Sequence, residues 1–517
     1  MAVADRLGSA ALQWRQSAVT AWVEPEAALA KVDWELHVGS RLSSMSEARF
    51  DMRLPPGAVA SSLSLWIDGV ERPAAFAATS KVQKAFEAVV AKNRDPALLQ
   101  EIGPDMLRLR LFPVSRRTPM HVRVGLTLPL LLRDGKALLQ LPEIVGHNCG
   151  SGRVGTHQVR IHGVSDSEAT VRSFDDRQMR VAIPVPRVDR TAYSPDADGF
   201  VVQQLVARAS NASAVDAKPR IVVVDASSSV ARAVPDPAAF LSNWLSAVSI
   251  DPSQSCIVYL VIGRHVQRIE CAVGEVGSHA WLAKPFVGGV DARAAIRDAL
   301  SEAEELGQSR VYWLHGAMGE WQNAEWQAIP AGVELAALAL HPGRNLVRES
   351  SWLRDHSVNV PRLGSSVAAL HESLVDFERF HRVGEVSDCG DTKRIFSRAE
   401  AAPAGAHEVT DQLARLWAAR QARSMLAAGD GVAAAQLAAR YRLVTAGSGA
   451  VVLERAQQYQ EHGLEPGALV GREPDAAIGS LPVAEPSTFF LFGSGLLLLF
   501  VMWWKRRRQD IKPAAGV

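Results

Sequence analysis

At 517 residues, 48% of them hydrophobic and 21% charged, the chain is too long for one core and too apolar for disorder, and the usual domain size implies about three domains. A net charge of +1, with no basic block ahead of residue 505, excludes nucleic acid as a partner class. Cys149, Cys256, Cys271 and Cys389 form no CxxC pair, which argues against a cysteine-held structural zinc site and a redox dithiol; Cys256 and Cys271 fall in neighbouring strand-like segments and are the expected pair if a disulfide forms, with two buried free thiols as the expected state.

Residues 1–31 read as an N-terminal segment. Met1 to Ala21 lacks the apolar stretch of a signal peptide, so export information is expected upstream of Met1. Residues 32–145 alternate and are rich in turns. Trp34, Leu36 and Val38 alternate with polar residues, as do Leu63, Leu65 and Ile67 before Asp68-Gly69, the pattern of half-buried strands joined by hairpins. Val82, Phe86, Val89 and Val90 switch to helical spacing over Lys81 to Asn93, and Pro96 ends that helix. Strands return at Met106 to Val114 and Met120 to Leu128, giving an antiparallel β-sandwich with one inserted helix.

Three motifs in this region, Phe50 to Val59 with its Leu54-Pro55-Pro56-Gly57-Ala58, Asp95-Pro96-Ala97-Leu98-Leu99, and Leu109-Arg110-Leu111-Phe112-Pro113-Val114, resemble the vault protein inter-alpha-trypsin (VIT) domain in type and order. Their expected roles are structural: Pro56-Gly57 as a turn, Asp95-Pro96 as a helix stop and Phe112 as a core plug. Residues 146–217 read as further β-structure continuing the sandwich, ending in a linker.

Over residues 218–395 the pattern changes. Ile221-Val222-Val223-Val224 is a continuous apolar run, as in a parallel strand buried on both faces. Strands at Cys256 to Ile262, Val311 to Leu314 and Leu335 to Leu340 alternate with helices near Pro237 to Val248, Asp291 to Leu306 and Val367 to Phe380, which specifies a doubly wound α/β sheet. The Asp225-Ala226-Ser227-Ser228-Ser229 segment ending the first strand resembles a von Willebrand factor A (vWA) domain. That resemblance implies a Mg²⁺ ion held by Asp225, Ser227 and Ser229, a Thr from a second loop and an Asp from a third. Val290 and the Leu314-His315-Gly316 segment stand where those last two ligands belong. The expectation is therefore a degenerate metal loop without a functional ion, no cofactor, Asp291 capping the helix it begins, and His315 bonded to neighbouring backbone.

Residues 400–462 read as helical, with a short strand at Val451 to Leu453, and resemble the region following the A domain in inter-alpha-trypsin inhibitor heavy chains. Residues 463–485, rich in Pro and Gly, read as a stalk. Residues 486–508 combine an uncharged run from Phe489 to Trp504 with the cluster Lys505, Arg506, Arg507 and Arg508, the length and charge asymmetry of one membrane span with its basic end in the cytoplasm. With Glu485, Pro486, Ser487 and Thr488 ahead of it, and Ala484 where the family has a first Pro, this tail resembles the PEP-CTERM sorting signal, whose implied partner is the membrane transpeptidase exosortase. No nucleophile elbow, zincin helix or phosphate loop occurs in the chain. The expected function is a non-catalytic, membrane-anchored extracytoplasmic binding or scaffolding protein of the bacterial envelope, held in the inner membrane with its body periplasmic or surface-exposed and binding a protein or polysaccharide ligand. An envelope hydrolase with an unrecognised site is the alternative.

Overall fold

The computed structural model describes residues 11–467 except 95, 104, 134–135, 151–156, 163–171, 175–179, 184–190, 197–198, 209–218, 250, 279–285, 287, 318–328, 343–356 and 382–391. Cys389, the sorting motif Glu485 to Thr488, the apolar run and the basic cluster Lys505 to Arg508 lie outside the described residues. Among those described, no helix is long and apolar enough to cross a membrane.

The chain opens with β1 (Leu12–Glu24), β2 (Leu29–Ser40), β3 (Ser46–Arg53), β4 (Val59–Ile67), β5 (Val70–Pro73) and β6 (Ala75–Ala78), followed by helix α1 (Thr79–Val90). Next come β7 (Ala97–Gly103), β8 (Met106–Val114), β9 (Met120–Pro129), β10 (Leu131–Arg133), β11 (Lys136–Gln140), β12 (Glu143–His147), β13 (His157–His162), β14 (Arg172–Phe174) and β15 (Arg180–Ile183). One sheet runs β14-β13-β1-β2-β9-β4-β5, and a second runs β12-β3-β8-β7, then the late strand Ser448–Val452, then β6. Alternate residues of both sheets, among them Trp34, Leu36, Phe50, Met52, Leu109 and Val124, share one core, so the sandwich expected over 32–145 is present.

Two expectations change here and a third holds. The segment assigned to 1–31 contains β1, because Leu12 and Trp14 and then Ser17, Val19, Ala21 and Val23 face inward, with the phase broken by a bulge between Trp14 and Gln16. Phe112 is not the core plug: it is half-buried against the α1 cluster of Val82, Phe86 and Val89. Gly57, at φ +76°, does make the expected turn, with Ala58 N–H donating to Pro55 O at 3.0 Å.

Strands β16 (Thr191–Pro195) and β17 (Val201–Arg208) do not continue the sandwich. They join Thr392–Ala399 and His407–Glu408 in a separate four-stranded sheet. The α/β layer lies between: β18 (Arg220–Asp225), α2 (Ser228–Ala233), α3 (Pro237–Val248), β19 (Ser255–Ile262), β20 (His265–Ala272), α4 (Arg293–Glu305), β21 (Arg310–His315), β22 (Glu334–Ala339), β23 (Ser357–Asn359) and α5 (Val367–Phe380). Its strand order is β20-β19-β18-β21-β22-β23, parallel except for the edge strand β20. Val222 and Val224 pack under α3 and α5 with Trp244, Leu374 and Phe377, while Ile221 and Val223 pack on the other face against Ala295, Ile296 and Ala299 of α4. This two-sided burial is why the strand reads as an unbroken apolar run.

After β24 (Thr392–Ala399) and β25 (His407–Glu408), helices α6 (Gln412–Ala427) and α7 (Gly431–Arg440) return to the sandwich and bury Leu413, Leu416 and Ala422 with Leu29 and Val59. Strand β26 (Ser448–Val452) then inserts between β6 and β7, and α8 (Ala456–Glu461) follows. The stalk expected from 463 is docked at its start: Leu464 is buried and Gly467 N–H donates to Ala74 O at 2.9 Å.

Candidate functional site

In a doubly wound sheet, ligands gather outside the carboxyl ends of the strands where the strand order reverses, here between β18 and β21. The chain places Asp225, Ser227 and Ser229 at that point. Asp225 ends β18 fully buried, and Trp313 on the adjacent β21 donates its indole Nε1–H to Asp225 Oδ1 at 3.1 Å. Burial pushes the Asp225 carboxyl up to about 7, against the lowering effect of the Trp313 bond and of the Gly316 backbone. Ser227 is the N-cap of α2, its Oγ accepting from Val230 N–H at 3.4 Å and lying 3.0 Å from Ser229 Oγ. Ser229 Oγ also accepts from Ala317 N–H at 2.9 Å.

Gly316 lets the loop after β21 close on this layer. A β-carbon there would lie 2.1 Å from Ser229 Oγ and 2.4 Å from Ser227 Oγ, so only glycine admits the contact. His315 is buried, stacks on Trp313 with ring centroids 4.2 Å apart, and its Nδ1 lies 3.1 Å from Gly316 O. Ser228 N–H donates to Gly288 O of the second loop at 3.2 Å, so the three loops do meet, but through protein–protein hydrogen bonds. Val290 is half-buried against the α4 side of the sheet. Ala292 holds the N-cap position of α4, but Asp291 Oδ1 accepts from the first helical amide, Arg293 N–H, at 3.2 Å, and the carboxylate also binds the Arg293 side chain, with Nη2 to Oδ2 at 2.6 Å. Mg²⁺ needs a near-octahedral set of oxygens, and two hydroxyls engaged with backbone amides plus one desolvated carboxyl do not fit it.

Two further polar assemblies were not foreseen, because each depends on register or on contacts between domains. At the opposite ends of the same strands, Arg310 Nε donates to Glu334 Oε2 at 3.0 Å, His381 Nε2 lies 2.9 Å from Glu334 Oε1, and Arg220 Nε donates to Glu378 Oε1 at 3.0 Å. Burial works to raise the Glu334 carboxyl, yet His381 and Arg310 hold it below its ordinary value. At the junction between layers, Arg362 donates to the carbonyls of Ala339, His341 and Gly364, Arg53 donates to Pro342 O, and Ser365 Oγ donates to Glu143 Oε2 at 2.6 Å. Burial lowers both guanidinium groups, Arg53 to about 10. Cys256 and Cys271 face each other across β19 and β20 as buried thiols with Sγ atoms 3.8 Å apart.

Residues 18–127 match the family model of the Vault protein inter-alpha-trypsin domain, a span that takes in half of β1 and ends in β9. No curated protein matches the chain. Among solved structures, the ArnB paralog VWA2 from Sulfolobus acidocaldarius is similar at 12% identity, over 47% of this chain and 83% of that one, with a TM-score of 0.27. Legionella pneumophila aminopeptidase A is similar at 14% identity over 38% of this chain, which spans 24% of that enzyme, with a TM-score of 0.19. A collagen-binding domain from a Staphylococcus aureus adhesin is similar at 9% identity over 33% of this chain and 99% of that domain, with a TM-score of 0.17. Likenesses this distant carry no conclusion about activity.

Proposed function

We propose that this chain is a non-catalytic binding or scaffolding protein of the bacterial envelope, with a vWA-like layer set into a VIT-like sandwich, anchored by residues 486–508 and associated with the PEP-CTERM and exosortase system. The observation that carries the reading is the order of the tail: Glu485-Pro486-Ser487-Thr488, an uncharged run to Trp504, then Lys505 to Arg508. Moving one such cationic end across a bilayer is disfavoured, so the basic cluster stays in the cytoplasm and the body lies outside. The ligand is a protein or a polysaccharide of the envelope.

The closed switch point supports binding over catalysis. A hydrolase needs a nucleophile or base exposed to a cleft, whereas Asp225, Ser227, Ser229 and His315 are buried among partners within the protein. Topology is the decisive test. A reporter active only in the periplasm, inserted ahead of Pro482 in the full-length gene, is expected to be active. Activity from a cytoplasm-only reporter at that position would reverse the orientation and remove the reading.

A further inference from the structure

We propose that Glu35, His37 and His121 form a binding site for a divalent transition-metal ion of the zinc class on the outer face of the seven-stranded sheet. The proposal is independent of the membrane reading above. His37 on β2 stands directly opposite His121 on β9, and Glu35 lies two residues back on the same face of β2. One ligand atom from each of the three lies within 4.8 Å of the other two, His121 Nε2 and Glu35 Oε2 being 3.2 Å apart.

The platform is rigid. The residues alternating with these three, Trp34, Leu36, Val38, Val122 and Val124, are buried in the sandwich core, so the strand register fixes where the ligands stand. His121 is held in a stack, with its ring centroid 3.6 Å from that of Trp66 on one side and 3.9 Å from that of His37. Arg123, the cation two residues along β9, lies over Trp66 and pairs with Glu71. It therefore does not take the Glu35 carboxylate, which stays bonded to His121.

Two imidazoles and one carboxylate are a ligand set for Zn²⁺ with its fourth position open to water, and their nitrogens argue against Mg²⁺ or Ca²⁺. Bonds of about 2.0–2.2 Å place tetrahedral ligand atoms about 3.3 Å apart, so binding requires the set to contract. Because His37 and His121 lie stacked, binding requires the two rings to turn out of that stack about their side-chain torsions so that their nitrogens converge, while the strands stay in place.

The test uses the full chain, stripped with chelator and then titrated with ZnCl₂ by calorimetry, and with Co²⁺ followed by its visible absorption. The expected result is one equivalent bound, an upward shift in melting temperature with Zn²⁺, and a four- or five-coordinate Co²⁺ spectrum. His37→Gln and, separately, Glu35→Gln are each expected to weaken binding at least about tenfold while leaving the metal-free melting curve in place. Absence of stoichiometric binding to the parent chain would overturn the proposal. So would binding that persists unchanged in both variants, since the ion would then sit elsewhere.

Discussion

Asp225 sits at the most ligand-prone position of the α/β layer and meets a tryptophan instead of an ion. Its carboxyl is held near 7 in the folded chain against an ordinary value of 3.8. Below pH 3.8 both states carry the proton and the residue contributes nothing to pH dependence. Between there and about pH 7 the unfolded chain ionises while the folded chain resists, so stability falls as pH rises, by on the order of 4 kcal/mol in total. Asp225→Asn is expected to remove this fall, because an amide oxygen still accepts from Trp313 but does not titrate. Urea midpoints measured from pH 4 to 8 decide it, since parallel curves for the parent chain and the variant would show that Asp225 ionises normally. In the same melts, millimolar Mg²⁺ is expected to leave the parent chain unshifted, whereas a micromolar site would add roughly 4 kcal/mol. The Asp225-Ser227-Ser229 loop was legible because a contiguous motif carries it. Trp313 was not, because its role exists only once β21 lies beside β18 in register.

At the scale of elements, helices with local signals were read closely. Pro237 at the first turn behind the Asp236 cap starts α3, and Ser366 caps α5. The central strand β18 declared itself by its apolar run. By contrast β1 was missed because its bulge splits one alternation into two short ones, and the outward-facing Glu35, His37 and His121 passed as the solvent half of an alternating pattern. Strand β26 was legible as a short strand but not in its place. Its Gly449 shows what that place demands: a β-carbon there would lie 2.8 Å from Val82 Cγ2 of α1 and 3.2 Å from the Leu99 carbonyl. Gly449→Val is therefore expected to push α1 off the sheet and cost about 1–3 kcal/mol, as overpacking of a filled core does. An unchanged denaturation midpoint would mean that α1 packs elsewhere.

At the scale of the molecule, the β-sandwich is built from both ends of the described chain, and the α/β layer is an insertion within it. The insertion hangs on a two-stranded stem: β17 and β24 pair antiparallel, with Arg208 opposite Thr392 at the point where the chain leaves and returns. Ends that already face each other can be joined by a short turn with little loss. Arg394 on the same stem donates to the carbonyls of Ala27, Ala28 and Leu130, which fastens the four-stranded sheet to the sandwich whether or not the insertion is present. A chain of residues 11–208, an Asn-Gly turn and residues 392–467 is thus expected to fold cooperatively, although it loses the Arg53 and Ser365 contacts at the junction. The matching deletion, ending at residue 446, keeps every strand of the local sequence match yet removes Ala450, Val451, Val452 and Leu453, all buried between β6 and β7. Their burial is worth roughly 1.5–3 kcal/mol for each large side chain, comparable with the whole stability of a domain, about 5–15 kcal/mol. That shorter chain is expected to be unfolded and to show no cooperative transition by circular dichroism, where the longer one melts in a single transition. If the two behaved alike, the sandwich would be self-sufficient without its last strand, and the domain would have to be redrawn as the contiguous segment the family match delimits.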